Sequence, residues 1–88
     1  MKAYKTLIKA GLALGYSVSV WDGEEWQVKR SNSYKAINSA IESVEEAQLR
    51  FRNGDEVVGW ALVSAFGLED DETVVDCTVN DWIEKALA

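Results

Sequence analysis

Apolar residues near the amino terminus recur with the spacing of a helix. They lie three or four positions apart, so a helix would carry them on one face. These residues are Tyr4, Leu7, Ile8, Gly11 and Leu14. Gly15 follows them, and glycine readily takes the left-handed conformation after a helix end. The pattern predicts an amphipathic first helix from about Ala3 to Leu14.

The next segment alternates between apolar and polar residues, which is typical of a strand with one buried face. Asp22 and Gly23 mark a turn in it. A three-residue loop, Asp22-Gly23-Glu24, or a bulge places Val20 opposite Trp26, so that both face the core. Trp21 then falls on the other face with serines and charged residues.

A second hairpin is predicted around Asn53 and Gly54, the strongest short hairpin signal in the chain. A two-residue turn here pairs Ala47 with Trp60 and places Trp60 in the core. The returning strand, Glu56 to Phe66, is apolar on both faces. That pattern indicates either a central strand covered on both sides or a face that a partner buries.

Two further helices are predicted from capping residues and apolar stripes. Ser31-Asn32-Ser33 offers N-cap candidates for a helix that carries Ile37 and Ile41 on one face. Thr78 to Asp81 resembles a capping box before a final helix, in which Trp82 and Ile83 belong to the apolar stripe.

The predicted order is helix, hairpin, helix, hairpin, helix, in a single domain of residues 1–88. We expect an α+β fold in which a four-stranded, mainly antiparallel sheet carries the helices mostly on one face. Thr73 to Cys77 either adds a short fifth strand or forms an irregular connection. A chain of 88 residues is long enough for one core and too short for a second domain.

The charge of the chain limits the classes of partner that we expect it to bind. Fifteen acidic and nine basic residues give a net charge of −6. Residues 1–35 carry six basic and three acidic residues, whereas residues 36–88 carry three basic and twelve acidic ones. Nucleic-acid binding draws its affinity from Lys and Arg, so we do not expect direct nucleic-acid binding. A basic or nucleic-acid-binding protein is the more natural partner.

Several catalytic and compartment classes are excluded by missing residue types. The chain has no histidine, which removes Ser-His-Asp and Cys-His mechanisms from a single chain. Its one cysteine, Cys77, forms no internal disulfide, and no apolar run approaches the ~18 residues that cross a bilayer. We expect a cytoplasmic protein with no enzymatic activity, no cofactor and no metal.

Candidate contact residues lie at the first hairpin tip and in an acidic segment. An aromatic beside charged residues is often a contact residue, which favours Trp21 with Asp22 and Glu24. The acidic run invites a cation or a basic partner, although consecutive acids are commonly solvated surface. Its members are Glu69, Asp70, Asp71 and Glu72.

Arg50 and Arg52 project from one face of a strand because they are two positions apart. Such a pair can clamp a phosphate or carboxylate. It can equally pair with a neighbouring acid such as Asp55.

Two segments of the chain resemble small uncharacterised proteins encoded by tailed bacteriophages. They are YSVSVWDGEEW, from Tyr16 to Trp26, and GWALVSAFG, from Gly59 to Gly67. The resemblance implies a binding role toward a host macromolecule in the host-cell cytoplasm.

The leading functional hypothesis is a small acidic protein-binding module whose partner is a host or phage protein. In its sharper form the module mimics the negative surface of DNA and competes with DNA for a basic protein. The alternative is a structural or homo-oligomeric assembly protein, with the strand from Val57 to Phe66 as its interface. Both hypotheses are compatible with a homodimer.

Overall fold

The fold was determined from a computed structural model, which describes residues 2–64 and 73–88. Along the chain the elements are α1 (Ala3–Ala13), β1 (Ser17–Trp21), β2 (Trp26–Ser31), α2 (Tyr34–Glu42), β3 (Glu46–Asn53), β4 (Glu56–Ser64), β5 (Val74–Cys77) and α3 (Asp81–Leu87). One antiparallel sheet has the strand order β2-β1-β3-β4-β5. The α+β class is confirmed, but the expectation of four strands is wrong, because a fifth strand pairs with β4.

The core lies between one face of the sheet and the helices. All three helices contribute to it, together with alternate residues of the central strands. The alternation follows from the pleat, which directs every second side chain to the same face. Fully buried members are Tyr4, Leu7, Ile8, Val18, Val20, Ile37, Leu49, Phe51, Ala61 and Val63.

Two glycines allow the helices to approach the sheet closely. A Cβ at Gly11 of α1 would lie 2.8 Å from Cδ1 of Phe51, and a Cβ at Gly59 of β4 would lie 2.8 Å from Cδ1 of Ile83. The ring of Trp82 packs edge-on against Phe51, with centroids 4.9 Å apart. These contacts confirm the prediction that Trp82 belongs to the apolar stripe of the last helix.

The helix starts follow the predicted capping chemistry in one case and depart from it in the other. Ser33 caps α2, and its Oγ accepts from the N–H of Ala36 at 3.3 Å. Asn80 caps α3 and accepts from the N–H of Ile83 at 3.1 Å. The predicted capping box at Thr78 is wrong, because the Thr78 Oγ1 accepts from the N–H of Trp60 instead.

The first hairpin has a different register from the predicted one. Val20 pairs with Val28, and Trp21 pairs with Trp26. One register shift separates these two pairs, and a second lies between Val18 and Val20. Each extra residue moves the following side chain to the other face, so Trp26 lies with Trp21 rather than in the core.

The second hairpin also differs, and Trp60 changes face as a result. Asn53 pairs with Glu56, so the turn lies one residue later than predicted. A register shift follows, and Arg50 rather than Ala47 becomes the partner of Trp60. The cause is tertiary: the carbonyl of Val58, the extra residue, accepts from Asn80 Nδ2 and Trp82 Nε1, both at 2.9 Å.

Candidate functional site

The sheet face opposite the helices is the candidate site, and we call it the outer face. No element within residues 2–64 and 73–88 packs over it. It combines aromatic, basic and polar side chains on four adjacent strands. Its main members are Ser17, Ser19, Trp21, Trp26, Lys29, Arg30, Gln48, Arg50, Arg52, Trp60 and Leu62.

Three of the four tryptophans in the sequence lie on the outer face and are half-buried. Trp21 and Trp26 pack edge to face, with ring centroids 5.1 Å apart and planes at 66°. The indole Nε1 of Trp60 donates to Gln48 Oε1 at 3.3 Å. Large amphipathic rings that are neither fully buried nor fully solvated are common anchors in binding interfaces.

A recess of about 420 Å³ lies beside Trp26, and we call it the arginine pocket. All three arginines of the sequence line it, although the whole chain carries a net charge of −6. The lining residues are Ser19, Trp26, Lys29, Arg30, Arg50 and Arg52.

A bulge in β2 brings two of these cations to the same face. Val18 pairs with Ser31 and Val20 with Val28, so two residues of β2 lie opposite Ser19. Arg30, one of the two, has a φ of 46°, and its N–H donates to Ser19 Oγ at 2.9 Å. Left-handed backbone at a residue with a Cβ is strained, and such strain is concentrated at functional sites.

The arginines are held by different partners. The guanidinium of Arg50 lies 5.1 Å from the ring centroid of Trp26, in a cation–π contact. Arg30 Nη1 pairs with Asp55 Oδ1 at 2.9 Å, and Arg52 Nη1 donates to the Asp55 carbonyl at 3.3 Å. The Nε of Arg52 is buried and has no hydrogen-bond partner among the described residues.

This arrangement is suited to holding an oxyanion. Guanidinium groups present planar forks of N–H donors that match carboxylate and phosphate oxygens. A buried donor without a partner costs free energy, and an incoming acceptor would remove that cost. The arginine pocket is therefore able to bind an anionic group beside an aromatic surface.

The sequence-predicted site residues are placed as follows. Trp21 lies on the outer face, beside Asp22 at its edge. The Asp22 carboxylate is used in the turn, where it accepts from the N–H groups of Glu24 and Glu25, both at 2.8 Å. The same backbone hydrogen bonds, with one from Gln27, lower the pKa of Asp22. Glu69, Asp70, Asp71 and Glu72 lie outside the described residues.

The expectation that Arg50 and Arg52 share a face is confirmed, and Asp55 is a neighbour of this pair. Lys29, Arg30 and Trp26 were missed as members of the same site. Strict alternation cannot place both Lys29 and Arg30 on one face. The only signal in the sequence is that Lys29 and Arg30 are adjacent basic residues in a strand that otherwise alternates.

Cys77 is half-buried and packs against the core, as a small apolar residue would. Burial raises the pKa of its thiol, and the neighbouring Asp76 and Glu84 raise it further. Among the described residues, no cluster of three Cys, Asp or Glu side chains is placed to hold a metal ion. No helix in the same ranges has the length and apolarity to cross a bilayer.

Comparison of the chain with protein-family models, curated proteins and solved structures gives no match. The geometry of the outer face is therefore the basis on which function is proposed.

Proposed function

We propose that this protein is a non-catalytic protein-binding module that holds an acidic segment of its partner on the outer face. The observation that carries the proposal is the arginine pocket, which Trp26 lines, on a face that also carries the half-buried Trp21 and Trp60. An interface of this kind combines aromatic anchors with charge complementarity, which selects the partner.

The distribution of charge on the outer face favours a protein segment over a nucleic acid. The cations are confined to one end of the sheet, around the start of β1 and the end of β3. Glu46 lies at the other end of β3, and Asp76 lies opposite Leu62. A polyanion that followed the face would meet these like charges, whereas one local anion flanked by apolar groups would not.

This proposal places the partner on the outer face, whereas the sequence analysis expected an acidic surface to bind it. An acidic surface that attracts a basic partner, including the DNA-mimic form, stays a prediction, as does the setting in a bacteriophage-infected host cell. Four of the acidic residues on which that form depends lie outside the described residues. Trp21 belongs to both proposals, because it lies on the outer face.

The test is a selection of random displayed peptides on the purified protein. We expect enrichment of acidic peptides that also carry apolar residues. Replacement Trp60→Ala should weaken their binding by about 2 kcal/mol, or roughly thirty-fold in Kd, as loss of an interface anchor does.

The matched control is Lys35→Gln, which changes an exposed cation on α2, on the helical side of the sheet. It should leave peptide binding unchanged. Enrichment of basic peptides, or equal binding by the wild type and the Trp60→Ala variant, would contradict the proposal.

A second candidate function is self-assembly through the same face. The outer face is basic at one end and acidic at the other, so two copies related by a suitable two-fold axis would place unlike charges together. The face of β4 that carries Trp60 and Leu62 would then be covered by the second copy. This candidate retains the expectation of an interface on the returning strand.

A further inference from the structure

We infer that the arginine pocket is a binding site for a phosphate monoester, carried on a side chain of the partner segment. The inference rests on the proposed function, because it specifies the anion that the outer face holds. Four observations support it: the charge in the pocket, its donors, its rigidity and its size.

The charge of the pocket exceeds what one carboxylate neutralises. Lys29, Arg30, Arg50 and Arg52 are the cations of the lining, and Asp55 is the one acid in contact with them among the described residues. The side chain of Asp55 is 97% exposed, so its pair with Arg30 is well hydrated and weak. A phosphate monoester carries about −1.5 to −2 at neutral pH and matches this excess better than a carboxylate.

The pocket also offers more hydrogen-bond donors than one carboxylate can accept from. Three guanidinium groups converge on it, and the buried Nε–H of Arg52 has no partner within the described part of the chain. The Ser19 hydroxyl already accepts from Arg30, so its own hydrogen is left to donate. A phosphate monoester has three strong acceptor oxygens and can accept hydrogen bonds from several guanidinium groups at once.

Part of the pocket is held in shape before a ligand arrives. The ring of Trp26 lies under the Arg50 guanidinium, and the bulge fixes the backbone of Arg30 through Ser19. Pre-positioned side chains lose less conformational entropy on binding, which increases affinity. The recess of about 420 Å³ is large enough for a phosphorylated side chain.

The test uses nuclear magnetic resonance of the arginine Nε–H groups. The sequence contains three arginines, so the spectrum has three such signals, which single Arg→Lys variants assign. Inorganic phosphate is the first probe, and a peptide with one phosphoserine among acidic residues is the second. We expect both to shift all three signals, with the peptide binding more tightly.

Two variants make the test specific. Arg52→Gln should weaken phosphopeptide binding about tenfold or more, because it removes charged hydrogen bonds to the ligand. Lys35→Gln removes the same charge from α2 and should leave the affinity within about twofold, because exposed distant charges are screened. Arg30→Gln serves as a second pocket variant if Arg52→Gln does not fold.

The outcomes separate the inference from the proposed function. If the unphosphorylated acidic peptide binds the outer face as tightly as the phosphopeptide, the phosphate assignment is wrong and the binding module stands. If neither peptide shifts the signals, both are wrong. Tighter binding of adenosine monophosphate or of a single-stranded oligonucleotide than of the phosphopeptide would overturn the assignment to a phosphorylated protein.

Discussion

Tyr4 shows how a single polar atom is accommodated in the core. Its side chain is fully buried between α1 and the rest of the core, and its hydroxyl donates to Asn38 Oδ1 at 3.0 Å. Burial is the main cause that raises the pKa of Tyr4 from 10.0 to about 12, and the charges of Glu42 and Tyr34 contribute to the same shift. The folded chain therefore retains this proton more strongly than the unfolded chain does.

The resulting pH dependence is a direct prediction. Between pH 10 and about 12 the unfolded chain loses the Tyr4 proton while the folded chain keeps it. The Tyr4 contribution to stability is complete below pH 10 and falls through this window by at most about 1.4 kcal/mol per pH unit.

Urea unfolding of the wild type and the Tyr4→Phe variant, from pH 8 to 12, measures the effect. The hydrogen bond to Asn38 should make the wild type about 1 kcal/mol more stable at pH 8. That difference should shrink above pH 10 and then reverse, because Phe does not titrate. A constant difference across the range would show that the Tyr4 hydroxyl is not desolvated.

At the scale of the element, the bulge of β2 links backbone strain to the candidate site. Arg30 has a φ of 46°, which glycine adopts at little cost and a residue with a Cβ does not. We expect Arg30→Gly to be about 1 kcal/mol more stable than Arg30→Ala, because both lose the exposed pair with Asp55 and only Ala keeps the strain.

Lys29, the neighbouring bulge residue, is the matched control because its φ is not positive. There the order should reverse, with Lys29→Ala more stable than Lys29→Gly. Thermal unfolding of the four variants tests both statements. Equal stability of Arg30→Gly and Arg30→Ala would mean that the bulge relaxes at no cost.

The two hairpins show how much of each element was predictable. Their positions followed from alternation and from the turn residues Asp22, Gly23, Asn53 and Gly54. Their registers did not, because each hairpin contains extra residues that interrupt strict alternation. Val58 is the clearest case, because its carbonyl accepts hydrogen bonds from Asn80 and Trp82, which are 22 and 24 residues away.

At the scale of the whole molecule, net charge bears on whether the outer face binds a separate partner or a second copy of the chain. Each chain carries −6, so two chains repel at long range, and screening by salt weakens this repulsion. We expect the protein to be a monomer in sedimentation experiments at low ionic strength.

Sedimentation at physiological ionic strength completes this test, with Trp60→Ala as the variant that disrupts the outer face. A monomer under both conditions supports the proposal of a separate partner. A dimer that Trp60→Ala dissociates would instead support self-assembly through the outer face. A dimer that the variant leaves intact would place the interface elsewhere and would contradict self-assembly through the outer face.

By itself the sequence determined the class of fold, the position of the first helix, the N-cap at Ser33 and the shared face of Arg50 and Arg52. These depend on local periodicity and local hydrogen bonds, which neighbouring residues specify. Only the tertiary structure decided that Trp26 and Trp60 leave the core and join the arginines. An odd register shift reverses every side chain beyond it, and the shift in β4 is tied to α3, far along the chain.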